Sequence, residues 1–327
     1  MQHIQGSDQK CPCFPRRLDL VSLSWLEKLL GIKRDVLRSL AARAGTLYEP
    51  FLQKKQIKPF QRQAVSLKLR KIDNPSEELK IVQRQIYHQL LRPLDLPAHV
   101  FGGVTGKNVL DNARIHLGAK VLIRVDIAHF FPSITNIHVY KVWQEMLGCS
   151  PRISALLTKL TTFERRLPQG SPTSTLLANL VLLMADGPIR SECWRLGVRY
   201  SSWVDDLAFS SDNPREVLNT VIGTLQRAGF AISRGKLAIM GPKERKILCG
   251  VLLGRFPSVP RERLSGIRSG IHKLRMGEVL SADLDRYVMS LQGSISHVRS
   301  IAPKKTEKLS IQLESALKLR LTGCVPT

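Results

Sequence analysis

The chain has 327 residues, of which 43% are hydrophobic, so its length and composition predict a protein with a substantial core in two domains. Its 50 lysine and arginine residues outnumber 26 aspartate and glutamate residues, and the formal net charge of +24 indicates a polyanionic partner. Nucleic acid is a better candidate than an acidic membrane surface, because the sequence has no apolar run of 18 residues and MQHIQGSDQK contains no signal-peptide core.

The six cysteines predict free thiols in a reducing cytoplasm. Only Cys11 and Cys13 are closely spaced, and no second pair completes a zinc-binding pattern. A cytoplasmic protein without a membrane partner is therefore expected.

Helices are predicted over 17–45, interrupted at Gly31, and over 76–92, starting near Ser76. Between them lies a basic stretch, 54–72, which is followed by a predicted turn at 73–76. The segment 102–107 is superficially similar to a phosphate-binding loop but lacks the GxxxxGK[ST] spacing. We interpret it as a flexible connection to a helix over 109–118.

The stretch 121–134, VLIRVDIAHFFPSI, predicts a buried strand in which Asp126 is followed by two phenylalanines. A carboxylate at the end of an apolar strand is costly to desolvate, and it suits a metal site. Hard divalent cations such as Mg²⁺ take carboxylate oxygens and leave positions open for phosphates.

The stretch 198–210, VRYSSWVDDLAFS, predicts a hairpin with Asp205 and Asp206 at its turn. Two adjacent carboxylates among apolar residues repel each other unless a cation offsets them, whereas a solvated turn is the alternative. If this hairpin and the Asp126 strand lie side by side in one antiparallel sheet, the three aspartates meet.

The last third of the chain is predicted to begin with a helix over 214–229 and a strand–turn–strand over 230–241. An apolar strand with a basic start is predicted over 243–254, and basic helices over 260–321. The sequence shows no repeats, heptads or low-complexity tracts.

These motifs carry a resemblance. The Asp126 strand with its Phe-Phe-Pro-Ser, the LPQGSPTSTLLANL run at 167–180 and the Val-Asp-Asp hairpin are similar in order and spacing to reverse transcriptases. The NARIH run at 112–116 resembles the NAxxH element of the bacterial retron-type group. The resemblance spans roughly residues 20–320.

The resemblance implies an α+β fold in the form of a right-hand polymerase, with an antiparallel palm sheet flanked by helices and a helical thumb. The implied domains are an N-terminal helical extension over 1–50, fingers over 51–120, a palm over 121–255 and a thumb over 256–327.

The resemblance also implies the roles of the reactive residues. Asp126, Asp205 and Asp206 would be the catalytic carboxylates and the metal ligands, with the backbone carbonyl of Ile127 as an extra ligand. Two Mg²⁺ ions, or Mn²⁺, would be the cofactors. Lys236 would act near the leaving pyrophosphate as a general acid or an electrostatic stabiliser, although a surface lysine is the alternative.

Several residues are implied to bind the nucleotide. Arg70, with Lys68 beside it, matches the position of an arginine on the incoming triphosphate, and a solvated basic strand is the alternative. Phe131 would exclude a ribose 2′-hydroxyl by steric contact, whereas Phe130 would be a core residue. The other two implied nucleotide-binding residues are in the loop that precedes the 174–187 helix. Gln169 would hydrogen-bond near the sugar or base, and Gly170 would permit close approach of the backbone to the nucleotide.

Trp203 would lie under the primer terminus. Asn112 and His116, four residues apart, share one helical face, and we interpret them as an RNA-facing pair rather than a capping or packing pair. Arg268, His272 and Lys273 would contact the nucleic-acid backbone, with a solvated basic helix as the alternative.

The implied function is that of a retron reverse transcriptase in antiphage defence. It would use dNTPs and a structured noncoding RNA as template and 2′-hydroxyl primer, make a branched RNA–DNA product, and act with a separately encoded effector. Trp203, in place of the usual tyrosine, and Leu248-Cys249-Gly250, in place of Val-Thr-Gly, leave open the alternative of another defence-associated reverse transcriptase. A group II intron-like enzyme is a further, less favoured alternative. A catalytically inactive RNA-binding scaffold is the alternative of another class.

Overall fold

The computed structural model describes residues 15–54 and 69–321. Its α-helices are α1 (Leu23–Leu30), α2 (Arg34–Ala42), α3 (Glu77–Ile86), α4 (Val109–Ile115), α5 (Phe130–Ser133), α6 (Asn136–Lys141), α7 (Pro151–Thr161), α8 (Ser174–Ala185), α9 (Gly187–Arg195), α10 (Leu218–Arg227), α11 (Arg261–Arg275), α12 (Leu284–Ile301) and α13 (Pro303–Leu321). Short 3₁₀ and π segments are Ala44–Thr46, Tyr87–Leu91, Val142–Met146, Pro214–Val217, Arg234–Lys236 and Ser281–Asp283, several of which continue a neighbouring α-helix.

The strands are β1 (Tyr48–Lys54), β2 (Leu69–Pro75), β3 (Val121–Ala128), β4 (Arg199–Trp203), β5 (Asp206–Ser211), β6 (Ala231–Ile232), β7 (Ala238–Met240), β8 (Lys246–Leu248), β9 (Val251–Leu253) and β10 (Pro257–Ser258). A five-stranded sheet has the order β4-β5-β3-β6, with β7 also paired to β3. β1 pairs with β2, and β10-β9-β8 form a third sheet. The pairs β3–β6, β4–β5, β8–β9 and β9–β10 are antiparallel, so the fold is a mixture of helices and antiparallel sheets.

Local sequence signals explain where several elements begin and end. The Ser22 hydroxyl caps α1 by accepting a hydrogen bond from the amide of Trp25, and Gly31 ends the helix with a φ of 66°. The Ser76 hydroxyl accepts from the amide of Leu79 at the start of α3. The predicted break at Gly31 and the predicted helix start at Ser76 are both confirmed.

The described residues divide into two compact units. The first contains 15–52, 71–108 and 123–239, and the second contains 53–54, 69–70, 109–122 and 240–321. In the first unit α8 is almost entirely buried, with Leu176–Leu183 inside the core. In the second, α11, α12 and α13 pack on one another through residues such as Ile267, Leu291 and Leu309.

Two local predictions are wrong. Asp73 and the next two residues belong to strand β2 rather than to a turn. The region 243–254 is a hairpin of β8 and β9 rather than one strand, because Cys249 and Gly250 have φ values of 48° and 81° and form its two-residue turn. The Leu248-Cys249-Gly250 run therefore marks a chain reversal.

Three of the predicted free thiols, Cys149, Cys193 and Cys249, are unbridged, while Cys11, Cys13 and Cys324 lie outside the described residues. Across the described ranges, every helix is too short or too polar to cross a lipid bilayer.

Candidate active site

Strand β3 presents Asp126 through the alternation of its side chains. Ile123, Val125 and Ile127 are fully buried on one face, while Arg124 and Asp126 are on the opposite, half-exposed face. The antiparallel partner β6 pairs with the end of this strand, where Ile127 faces Ile232. The apolar pattern of the strand thus leaves the polar face, with its carboxylate, accessible.

The Asp205–Asp206 pair is at the tip of the β4–β5 hairpin. Trp203 pairs with Asp206, so the turn consists of Val204 and Asp205. The amide of Ile127 donates a 2.9 Å hydrogen bond to the carbonyl of Asp205. Since β5 and β3 are neighbours in the sheet, this bond joins the hairpin turn to the strand of Asp126. This is the side-by-side placement on which the expected meeting of the three aspartates depended.

Two cationic side chains face these carboxylates. The Lys236 ammonium donates to both oxygens of Asp126 at 2.6 and 2.8 Å. Arg124 donates to both oxygens of Asp206, at 2.7 Å from Nη2 and 3.4 Å from Nε. Sequence reasoning missed Arg124, although it is two residues before Asp126 and therefore on the same face of β3.

Burial and mutual repulsion shape the acidity of the pair. Burial raises the pKa of Asp205, and the negative charges of Asp126 and Asp206 raise it further, while Lys236 acts in the opposite direction. Burial also raises the pKa of Asp206, against the hydrogen bond from Arg124 that lowers it. The three carboxylates are therefore close enough to repel one another and gain from neutralisation by cations.

The chemistry of these donors suits a hard divalent cation, because all three are carboxylate oxygens. Within 15–54 and 69–321, however, no three His, Cys, Asp or Glu side chains form a group in a metal-binding arrangement. In this conformation Lys236 and Arg124 hold two of the carboxylates instead.

A second feature missed from the sequence is the close approach of Gly102 to the hairpin turn. A Cβ atom at Gly102 would be 2.6 Å from Cγ2 and 2.7 Å from the amide nitrogen of Val204. The carbonyl of Gly102 accepts from the Asn179 side chain at 2.7 Å, and the Lys107 ammonium donates to the carbonyls of Pro97 and Val100. The interpretation of 102–107 as a flexible segment is therefore wrong, because both ends of it are fixed by packing or hydrogen bonds.

Other predicted site residues occupy accessible positions of the first unit. Phe130 is buried against Phe230, as expected of a core residue, whereas Phe131 is half-exposed. Gln169 and Trp203 are also half-exposed, and Gly170 is exposed.

In the second unit, some of the residues predicted to contact nucleic acid are buried and others are exposed. Asn112 and His116 are only 1% exposed, and the Asn112 amide contacts the Cys249 sulfur at 3.5 Å. The RNA-facing interpretation of this pair is therefore corrected: buried side chains act in packing and hydrogen bonding. Arg268, His272 and Lys273 are exposed on α11.

Arg70 is exposed in β2. Lys68 lies outside the described residues.

Comparison with known proteins identifies the family. Residues 53–252 match the model of reverse transcriptases, described as RNA-dependent DNA polymerases. The chain belongs to the reverse transcriptase family. Enzymes of this family generally use divalent metal ions.

Curated relatives place this reverse transcriptase in the retron type. The Retron Ec86 reverse transcriptase of Escherichia coli is 27% identical over 288 residues, which cover 87% of this chain and 86% of the relative. The Retron Se72 enzyme of Salmonella heidelberg is 27% identical over 69% of this chain and 59% of its own length. The Retron Mx65 enzyme of Myxococcus xanthus is 26% identical over 85% and 70%. The chain is an RNA-directed DNA polymerase of the retron type.

Proposed function

We propose that Asp126, Asp205 and Asp206 carry the polymerase reaction of this retron reverse transcriptase. The observation that supports this most is the hydrogen bond between Ile127 and Asp205, which joins the hairpin tip to the Asp126 strand. A primer hydroxyl attacks the α-phosphate of a dNTP, the new phosphodiester bond forms, and the bond to pyrophosphate breaks. Two Mg²⁺ ions, or Mn²⁺, would be held by the three carboxylates and the Ile127 carbonyl and would polarise the attacking and leaving oxygens.

The basic neighbours of the carboxylates have distinct roles in this proposal. Lys236 pairs with Asp126 and is 58% exposed, so its flexible ammonium could turn toward a bound polyphosphate. There it would stabilise or protonate the leaving pyrophosphate. Arg124 holds both oxygens of Asp206 in a forked contact and thereby fixes the orientation of that carboxylate.

The accessible residues of the first unit would bind the nucleotide. Phe131 would lie against the sugar and reject a 2′-hydroxyl, Gln169 would hydrogen-bond the nucleotide, and Gly170 would admit its close approach. Trp203 would support the primer terminus as a flat apolar surface.

Arg70, with Lys68, would bind the triphosphate. Arg268, His272 and Lys273 would contact the backbone of the nucleic acid, with affinity that falls as salt rises. In this proposal the fingers, palm and thumb correspond to 51–120, 121–255 and 256–327, after an N-terminal extension over 1–50.

The template and primer would be one structured noncoding RNA. Extension from a 2′-hydroxyl of a guanosine in that RNA would leave a branched RNA–DNA product, made in the cytoplasm as part of antiphage defence with a separate effector protein. The basic character of the chain, at +24, supports a large RNA partner.

The test is to isolate the protein from cells and sequence the nucleic acid bound to it, for the wild type and for Asp205→Asn/Asp206→Asn. Asp35→Asn is the matched control, since Asp35 is an exposed carboxylate on α2. One short DNA joined to a specific RNA, present in wild type and control but absent from the double variant, supports the proposal. DNA without an RNA junction favours another defence-associated enzyme, and RNA alone in every sample favours a scaffold.

A further inference from the structure

The loop 168–171, Pro-Gln-Gly-Ser, is held by a charged contact that nothing in its own sequence indicates. Asp73 of β2 is completely buried, and Arg166 donates to both of its carboxylate oxygens, at 2.7 and 3.1 Å. A buried carboxylate is stable only when it is paired and hydrogen-bonded, so this forked pair satisfies a group that is costly to leave alone.

Asp73 also bonds directly to the loop. Its amide donates to the carbonyl of Gln169 at 2.9 Å, and its carboxylate accepts from the amide of Gln169 at 3.2 Å. One residue of β2 thus satisfies both backbone groups of Gln169. The position of Gln169 is consequently tied to the strand rather than to its own neighbours.

Gly170, the next residue of the loop, also lies close to β2. Gly170 has a φ of 133°, and a Cβ there would be 3.0 Å from Cγ2 of Ile72 and 3.2 Å from the carbonyl oxygen of Asp73. A side chain at this position would push the loop away from β2. Gly170 therefore permits the loop to lie against β2, where the hydrogen bonds of Asp73 hold it.

Ser171, the last residue of the loop, is held by a separate set of hydrogen bonds. The Ser171 hydroxyl donates to the Gln83 side chain at 2.8 Å, and Gln83, fully buried in α3, donates to Tyr48 and to the carbonyl of Leu160. The loop is thereby held at Gln169 and at Ser171, while Gln169 stays half-exposed and Gly170 exposed. Such an arrangement presents a rigid backbone to a ligand at low entropic cost.

We propose that Asp73 and Arg166 are positioning residues that set the nucleotide-binding loop of this polymerase. The inference rests on the proposed nucleotide role of Gln169 and Gly170. Lys71 extends the contact, because it pairs with Glu164 at 3.3 Å and Glu164 pairs with Arg166 at 3.0 Å. Strand β2 and the loop then respond to the nucleotide as one element.

The experiment compares Asp73→Asn/Arg166→Gln with wild type by dNTP incorporation on an RNA template with a DNA primer and by amide hydrogen exchange. The double variant removes both charges and leaves no unpaired buried charge. Arg166→Lys, which keeps the charge but loses the fork, is the milder second variant. Glu262→Gln and Arg245→Lys are matched controls, because Arg245 and Glu262 form a similar forked pair on the surface, at 2.6 and 3.1 Å.

In the double variant we expect the KM for dNTP to rise about tenfold while kcat changes less than about threefold. The amides of Asp73 and Gln169 should exchange about tenfold faster. Arg166→Lys should give intermediate values, and the controls should match wild type. An unchanged KM, or unchanged exchange at Gln169, overturns the inference. If wild type incorporates no dNTP, the proposed function fails, and the exchange of the Gln169 amide still decides whether the pair positions the loop.

Discussion

Two hairpins with two-residue turns differ in what holds them. The Val204-Asp205 turn between β4 and β5 places a β-branched residue at a φ of 59°, which is costly for valine. The Cys249-Gly250 turn between β8 and β9 has glycine at its second position, where a positive φ carries no steric cost. The first turn has no glycine at its positive φ and depends on its surroundings, whereas the second contains glycine and also contacts Asn112 through Cys249.

The surroundings of the first turn are visible in the structure. Gly102 packs against Val204, and the amide of Phe101 donates to the carbonyl of Ser202 at 2.9 Å. A strained backbone conformation persists only where contacts with the surrounding structure hold it in place. Such conformations are concentrated at functional sites. The hairpin that carries the carboxylates thus relies on tertiary contacts at its turn.

The largest expected effect comes from Gly102→Ala, which removes the space for Val204. The added methyl group cannot fit 2.6 Å from Cγ2, so we expect a loss of about 1–3 kcal/mol in the free energy of unfolding. Displacement of the turn should also lower DNA synthesis by about 10²-fold. Urea unfolding and primer extension measure the two effects.

Gly45→Ala is the control for that substitution, since a Cβ at Gly45 meets nothing within 4 Å. It should leave synthesis unchanged. Equal losses in the two variants would show that Gly102 has no special role at the turn.

A smaller effect is expected at the other turn, from Cys249→Val. Valine at a φ of 48° is strained and cannot accept the 3.5 Å contact that the Asn112 amide makes with the Cys249 sulfur, so stability should fall by about 1–2 kcal/mol. Cys249→Asn should instead be neutral or stabilising, because Asn-Gly is the preferred pair for turns with two positive φ values. Thermal unfolding of both variants checks the prediction, and a tolerated valine would contradict it.

The smallest effect concerns the ion pairs beside the two hairpins. Arg124–Asp206 is partly buried, whereas Arg245–Glu262 is exposed, with Glu262 67% accessible. The hydrogen bond from Arg245 is the main cause that lowers the pKa of Glu262 to about 2 from its ordinary value of 4.5. The pair therefore stabilises the fold above pH 4.5, and the contribution is lost as pH falls toward 2.

We expect Glu262→Gln to flatten this part of the pH dependence of unfolding only slightly, because exposed pairs are weakened by solvent and salt. Urea unfolding at pH 5 and pH 3, at low and high salt, provides the measurement. A large salt-independent difference from wild type would show that the pair is more than a surface contact.

Much of the fold was predictable because its signals are local. Ser22, Gly31 and Ser76 end or begin helices through contacts within a few residues, and the polar face of β3 follows from alternation. The errors had non-local causes. Asp73 was assigned to a turn because its strand partner is in a separate segment, and 102–107 was interpreted as flexible because the sequence does not show that Gly102 meets Val204.

The sequence by itself determined the order of the motifs, the strand that presents Asp126 and the hairpin that presents Asp205 and Asp206. Only the tertiary structure decided which cation faces which carboxylate. Arg124 is 82 residues from Asp206, Lys236 is 110 from Asp126, and Arg166 is 93 from Asp73. Local propensity cannot specify such pairings, because they exist only after the sheet and the helices have packed and brought distant segments together.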